Sequence, residues 1–241
     1  MKFNTNSNTY IIIYSVVMVV IVAVLLAVAA LGLAPRQQEN MLNEKKTQIV
    51  KALGEDPATV AYDSVITKAV ILDQNGAVVS EDVNEVFEAL NDLKGSFAAN
   101  RFPLFVATSG VVAPLYGAGL WGPIWGYIAL DTDMNTVKGI VLDHSGETPG
   151  LGAEITTPKH QAMYVGKSVY ENDQLVGITL KKGGAEKGNP HQVDAITGGT
   201  KTSDGVTAMI SDCLNYYKPY FDAARAAATA EVEAESNTLN E

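Results

Sequence analysis

The sequence predicts a mixed α/β (α+β) protein: one N-terminal transmembrane helix, then a single domain of mostly antiparallel strands with a few helices. Three observations predict it. An almost wholly apolar run of 24 residues, Tyr10–Leu33, sits in a stretch from Phe3 to Pro35 that carries no charge. Behind it, short β-rich runs bounded by turn residues alternate with amphipathic stretches, without the repeated long crossovers that a parallel sheet needs. The chain is 241 residues long, enough for one domain or two.

As a helix the apolar run is about 36 Å long, sufficient for a ~30 Å hydrocarbon core with some tilt. Tyr10 and Tyr14 suit the interface at one end, and Gly32 and Pro35 punctuate the other. A cleaved signal peptide ending at Ala27-Val28-Ala29 is the competing reading. The apolar region is longer than the ~7–15 residues of a signal, and its basic flank is Lys2 alone. The anchor is therefore read as uncleaved, residues 1–35 with a helix over about 10–33. Residues 36–60 form a membrane-proximal helix or stalk, with Met41, Leu42, Ile49, Val50 and Leu53 near helical spacing and Gly54 as its stop.

The domain spans 61–235, and 236–241 is a frayed tail. Within it, 68–73 and 76–80 read as strands around a turn at Gln74-Asn75. Residues 81–93 read as a short helix with Val83, Val86, Phe87, Leu90 and Leu93 on one face. Strands follow at 103–109, 137–143 and 176–182, separated by the Gly-rich segment 116–131, the loop 144–156 and the polar loop 183–191. A helix then runs to about Lys218, where Pro219 interrupts the pattern before an Ala-rich stretch.

Charge and composition narrow the function. Lys plus Arg total 17 against 27 for Asp plus Glu, a net charge of −10. That argues against a nucleic-acid partner bound through phosphates. One cysteine excludes a disulfide scaffold and, from this chain alone, a Cys-rich zinc or iron–sulfur site. Three histidines, none at i, i+4 spacing, argue against a helical His metal site, and no catalytic-triad order, P-loop or GxGxxG motif is present. His144 beside Asp143 is an isolated candidate acid/base pair.

Three segments carry chemistry. In DAITGGTKTSDGV (194–206), Thr197, Thr200, Thr202 and Ser203 surround Gly198-Gly199 just before a helix. Hydroxyls and bare backbone N–H groups at a helix start host phosphate well. The plain structural reading is a turn with Thr202 or Ser203 as N-cap. In HSGETPGLGAEI (144–155), Gly150 and Gly152 flank Leu151, with Glu147 and Thr148 as polar neighbours. Such a loop can wall a flat aromatic ligand or simply be a turn. In GLWGPIWGYIAL (119–130), Leu120, Trp121 and Trp125 among glycines suit either a ligand wall or a packed strand.

Taken together, these segments resemble the C subunits of the bacterial Na+-translocating NADH:quinone reductases, with the G subunit of Rnf-type complexes as a paralogue. The family signature, Ser/Thr-Gly-Ala-Thr with an Asp three residues upstream, is matched by Asp194-Ala195-Ile196-Thr197-Gly198-Gly199-Thr200, with Gly199 in place of the alanine. The resemblance implies that Thr200 carries FMN covalently through a phosphoester, added by a flavin transferase. Cofactor contacts are then expected at Thr197, Gly198, Gly199, Lys201, Thr202, Glu147, Thr148, Gly150, Leu151, Gly152, Leu120 and Trp121. It further implies an electron carrier in a complex of six subunits in the bacterial inner membrane. The chain would be single-pass in the lipid bilayer with its C-terminal domain in the periplasm, inside a Na+ pump whose NADH oxidation and quinone reduction lie on other subunits. The alternatives are a G-type Rnf subunit, a stand-alone membrane-anchored FMN protein, or a tethered domain whose site has decayed.

Overall fold

The computed structural model describes the backbone of residues 7–238 and the side chains of 7–230. Lys2 and the last three tail residues lie outside the described residues. The chain divides into two compact units at Lys45/Lys46.

The first unit is the apolar part of helix α1, Asn8–Ala52, the one described helix long and apolar enough to cross a membrane. Its large side chains from Ile11 to Leu33 are exposed, as a lipid-facing surface would be. Gly32 and Pro35 do not end the helix, which continues through both. A proline removes one backbone hydrogen bond but leaves the flanking turns free to propagate.

In the second unit, the last turns of α1 bury Ile49, Val50 and Ala52 in the domain core. After the one-turn α2 (Tyr62–Val65), a six-stranded antiparallel sheet is built from β1 (Ile66–Leu72), β2 (Val78–Ser80), β3 (Phe102–Ala107), β4 (Gly110–Ala118), β5 (Pro123–Leu130) and β6 (Val137–His144). Its spatial order is β2-β1-β3-β4-β5-β6. The expected helix over 81–93 is instead α3 (Val83–Ala89), a 3-10 turn and α4 (Leu93–Ala98). The break falls at Asp92, whose carboxylate leaves a helical role to cap α4 by accepting the Gly95 N–H at 2.9 Å. After α5 (Pro158–Gln161) come a two-residue hairpin, β7 (Tyr170–Glu171) with β8 (Gln174–Leu175), and a parallel pair, β9 (Thr179–Lys181) with β10 (Gln192–Asp194). The strand expected over 176–182 is thus cut to three residues, because Val176 and Gly177 both turn their N–H groups to the Val169 carbonyl.

Helix α6, Thr200–Thr238, organises the domain. It runs straight through Pro219, where the sequence suggested an interruption. Tyr217 and Phe221, fully buried on either side of the proline, hold both flanks against the core, and tertiary packing outweighs local propensity. The helix also closes a split in the sheet. The β3–β4 ladder ends at Phe105–Val112, so Pro114, paired with Tyr127 of β5, has no β3 partner that needs its missing N–H. There the Tyr217 hydroxyl lies 3.0 Å from the Pro103 carbonyl and 3.1 Å from that of Pro114. One turn earlier, the Cys213 sulfur accepts the Tyr116 N–H and its thiol reaches the Tyr116 carbonyl, both at 3.3 Å. Side chains of α6 thus take over hydrogen bonds that β3 would otherwise supply.

Candidate functional site

Three chain segments meet where α6 begins. The first is the turn leading into it. Gly198 adopts a left-handed conformation, φ 76°, which the reversal from β10 into the helix requires. Thr200 is the first helical residue and is partly buried, Thr197 and Lys201 are exposed, and Gly199 is buried. Thr202 and Ser203 are not N-caps as the plain reading has it, because they lie inside the first turn. The Ser203 hydroxyl instead accepts the Ile196 N–H at 3.0 Å, and the Ser203 N–H reaches the Gly199 carbonyl at 2.9 Å, which together cinch the turn. N–H groups earlier in a helix have no carbonyl behind them within the helix, so the start of this 39-residue helix concentrates donors and positive potential beside the Thr200 hydroxyl.

The second segment is the loop after β6. The Thr148 carbonyl accepts from both Leu151 and Ala153 at 3.1 Å, folding Pro149–Gly152 into a knuckle. Leu151 projects from it, 41% exposed, and lies directly over Gly198, where a β-carbon would come within 2.6 Å of the leucine's Cδ2. Loop and turn therefore touch. The third segment is the β4–β5 reversal, closed by Gly119 N–H to the Gly122 carbonyl at 2.8 Å, which presents Leu120 and Trp121 at 53% and 68% exposure. Trp125 does not join them. It lies within β5 opposite Tyr116 and Asp143, so packing as a strand is right for 123–130 and fails only at the turn.

Glu147 connects the three. Its carboxylate is buried, with Oε1 accepting the Trp121 N–H at 2.9 Å and Oε2 accepting the Thr202 hydroxyl at 2.6 Å. Burial alone would raise its pKa, but the hydrogen bonds from Thr202, Trp121 and Leu120 outweigh this, with a smaller push from His144, and hold it below the ordinary glutamate value. His144 and the Asp143 carboxylate meet through the His144 backbone N–H rather than as a hydrogen-bonded ring–carboxylate pair. The His144 Nδ1 accepts the Glu147 N–H at 3.2 Å, while the Asp143 carboxylate accepts the His144 backbone N–H at 2.8 Å. Both groups shape the loop.

The residues expected to contact the cofactor thus fall within one neighbourhood, which Trp125 does not join, and Thr148 contributes through its backbone. The sequence reading missed Gly119, Ile196 and the turn-closing role of Ser203. Gly119 lies in the selected glycine-rich segment, and its signal is steric: a β-carbon there would collide with the Glu147 carboxylate and lie 2.9 Å from Ile124 Cγ2. Asp194, the acid of the sequence signature, accepts the Ala185 N–H at 2.7 Å and so fastens the polar loop 183–191 next to the turn. Among the described residues, no group of three His, Cys, Asp or Glu is placed to hold a metal.

The site suits a phosphorylated flat ligand. It offers a hydroxyl at a helix start, an adjacent lysine, and exposed Leu120, Trp121 and Leu151 around it, with glycine backbone leaving room between. Comparison with known proteins agrees. The FMN-binding domain family model matches residues 119–215, which contain all three segments. The C subunit of the Na(+)-translocating NADH-quinone reductase of Vibrio vulnificus is 31% identical over 207 residues, covering 76% of this chain and 81% of that one. Its Pseudomonas aeruginosa counterpart is 31% identical over 251 residues, covering 91% and 95%. Among solved structures, the C subunit from Parabacteroides distasonis superposes with a TM-score of 0.71 at 34% identity over 78% of this chain and 96% of that one. NqrC of Shewanella oneidensis gives 0.63 at 28% identity, covering 76% and 97%.

Proposed function

The chain belongs to the family of the C subunits of the Na(+)-translocating NADH-quinone reductases, and from that premise we propose that Thr200 carries FMN through a phosphoester to its hydroxyl oxygen. The protein is a membrane-anchored FMN electron-transfer subunit of a redox complex. One observation carries the assignment to Thr200: of the hydroxyl residues around the turn, it is the one that opens α6, directly after the Gly198-Gly199 pair on which the Leu151–Gly152 knuckle packs. Thr197 lies on the exposed turn, and the Thr202 hydroxyl is already committed to Glu147.

The flavin would supply the one-electron carriage. The chain holds and orients it. N–H groups at the start of α6 and the Lys201 ammonium would offset the phosphate charge, Leu151 and Trp121 would lie against the ring, and the glycines would keep side-chain bulk out of the way. A covalent tether keeps the cofactor in place outside the cytoplasm, which accords with a periplasmic domain, a single-pass anchor in the inner-membrane bilayer and attachment by a flavin transferase. The remaining partners are the other members of a Na+-translocating assembly of six subunits.

The intact mass of the purified chain tests the assignment. One FMN adduct is expected in the wild type and none in Thr200→Ala, whose fold survives because the change removes only a partly buried hydroxyl and methyl at the first helical residue and alanine is a strong helix former. Thr197→Ala and Thr202→Ala should weaken attachment without abolishing it. A full adduct on the Thr200→Ala chain refutes the assignment. Co-purification with five other membrane subunits supports the complex over a stand-alone carrier.

A further inference from the structure

We propose that Glu147 is the positioning residue of the flavin site, a buried carboxylate that clips the Leu120–Trp121 turn and the Gly150–Gly152 knuckle to the first turn of α6. The inference rests on the reading of Thr200 as the attachment point, and it assigns Glu147 a task other than touching the flavin. Both of its oxygens are spent inside the protein, one on the Trp121 N–H at 2.9 Å and one on the Thr202 hydroxyl at 2.6 Å. The carboxylate is packed between two glycines, and a β-carbon at Gly119 would strike Oε1 while one at Gly152 would strike Oε2 and the Thr202 hydroxyl. A carboxylate so enclosed has little room to turn toward a ligand.

What the clip fixes is the exposed wall, not the core. Among the described residues, Glu147 is the one buried carboxylate, and a buried charge is tolerated only when its acceptor sites are filled. The hydrophobic core is formed by the sheet, the last turns of α1 and the inner face of α6. Leu120, Trp121 and Leu151, by contrast, are largely solvent-facing and contribute little to it. Their positions relative to Thr200 depend on backbone hydrogen bonds within each turn, on glycine packing such as that of Leu151 over Gly198, and on this carboxylate, which hydrogen-bonds one turn to the other. A charge-assisted bond to each partner makes the link short and directional. Glutamine can reproduce it, with Oε1 still accepting from Trp121 and its amide N–H donating to the Thr202 oxygen. Alanine cannot.

The test compares wild type, Glu147→Gln, Glu147→Ala, Thr202→Val and Tyr217→Phe, each as the full detergent-solubilised chain produced with its flavin. The same Glu147 changes are also made in the flavin-free Thr200→Ala chain. Ring exposure is read by iodide quenching of flavin fluorescence, ring orientation by visible circular dichroism, and the clip itself by amide exchange of the Trp121 and 150–153 backbone. Glu147→Ala should speed that exchange on the order of 10-fold or more, the loss expected for a buried charge-assisted bond, in both flavin-bearing and flavin-free chains. It should also raise flavin quenching severalfold and collapse the flavin dichroism. Thr202→Val should shift the same signals part of the way, and Glu147→Gln should stay close to wild type. Tyr217→Phe, which removes a core hydrogen bond, should lower the melting temperature and leave the flavin signals alone. Unchanged exchange and dichroism in Glu147→Ala overturn the proposal. So does a Glu147→Gln chain as perturbed as the alanine variant, because charge rather than placement would then be at work. If Glu147→Ala does not fold, Thr202→Val decides: shifted exchange supports the clip and wild-type exchange overturns it. A wild type without adduct sinks the Thr200 reading alone, since exchange in the Thr200→Ala chain still judges the clip.

Discussion

Gly150 and Gly152 stand two residues apart in one knuckle, yet they should fail for opposite reasons when replaced by alanine. Gly150 has φ 74° and nothing within 4 Å of the position a β-carbon would take. The cost of Gly150→Ala is then backbone strain alone, about 1–2 kcal/mol for a left-handed non-glycine residue, and Gly150→Asn should cost less because asparagine tolerates that region. Gly152 carries no such strain, but its β-carbon would collide with Glu147 Oε2 and the Thr202 hydroxyl, and the partners must separate to admit it. Overpacking a closed site costs about 1–3 kcal/mol, and losing a hydrogen bond to a buried charge adds about 1.5–3 kcal/mol. Gly152→Ala should therefore destabilise the domain by about 2.5–6 kcal/mol, a large part of the ~5–15 kcal/mol that holds a domain folded. Equilibrium denaturation followed by tryptophan fluorescence measures both variants. A Gly152→Ala chain within about 1 kcal/mol of wild type, or one no worse than Gly150→Ala, would refute the steric reasoning. In a Gly152→Val chain that still folds, the flavin spectrum and potential should shift, whereas a merely structural turn would leave them as they were.

Burial depresses His160 to a pKa of about 4, against the partial counter-pull of Asp194. The unfolded histidine, near 6.5, binds a proton that the folded one refuses, so its share of stability is whole above about pH 6.5 and is lost as the pH falls toward 4. That share is about 3 kcal/mol, and acid melts of His160→Gln should show a flatter profile over this window. The Cys213 thiol, pushed up to about 12 chiefly by burial, should resist alkylation in the native protein and react only on unfolding, as a thiol-reagent time course will show. Tyr217→Phe strips a donor from the buried Pro103 and Pro114 carbonyls and should cost about 1–3 kcal/mol in the same denaturation assay. The chain should stay in the membrane through salt and carbonate washes with its N-terminal residues intact; a mature N-terminus at or after Ala30 would mark a cleaved signal.

How much of this was legible in the sequence depends on how far each signal reaches along the chain. The apolar run and the period-two strands show themselves locally, because hydrophobic patterning is a property of neighbours. Breaks and stops fared worse for the same reason. Pro35 and Pro219 are strong local stop signals, yet the helices pass through both, and at Pro219 the deciding groups are Tyr217 and Phe221 against strands far off in sequence. Asp92 ended a helix because its carboxylate could cap the next one, a choice that composition cannot foretell. At the site, each segment alone was ambiguous between turn and ligand wall, and only their joint resemblance to a family selected the second. Its internal logic is not local at all. Glu147 and Thr202 are 55 residues apart, and Glu147 and Trp121 are 26 apart. A glutamate in a glycine-rich loop reads as a solvent-facing polar contact, whereas in the fold it is the buried group on which two turns and a helix start converge. The glycines on either side of it are the trace that the sequence does carry. They are needed where the carboxylate leaves no space for a β-carbon, so a glycine-flanked acid in a loop is a reason to look for a buried clip before assigning a ligand contact.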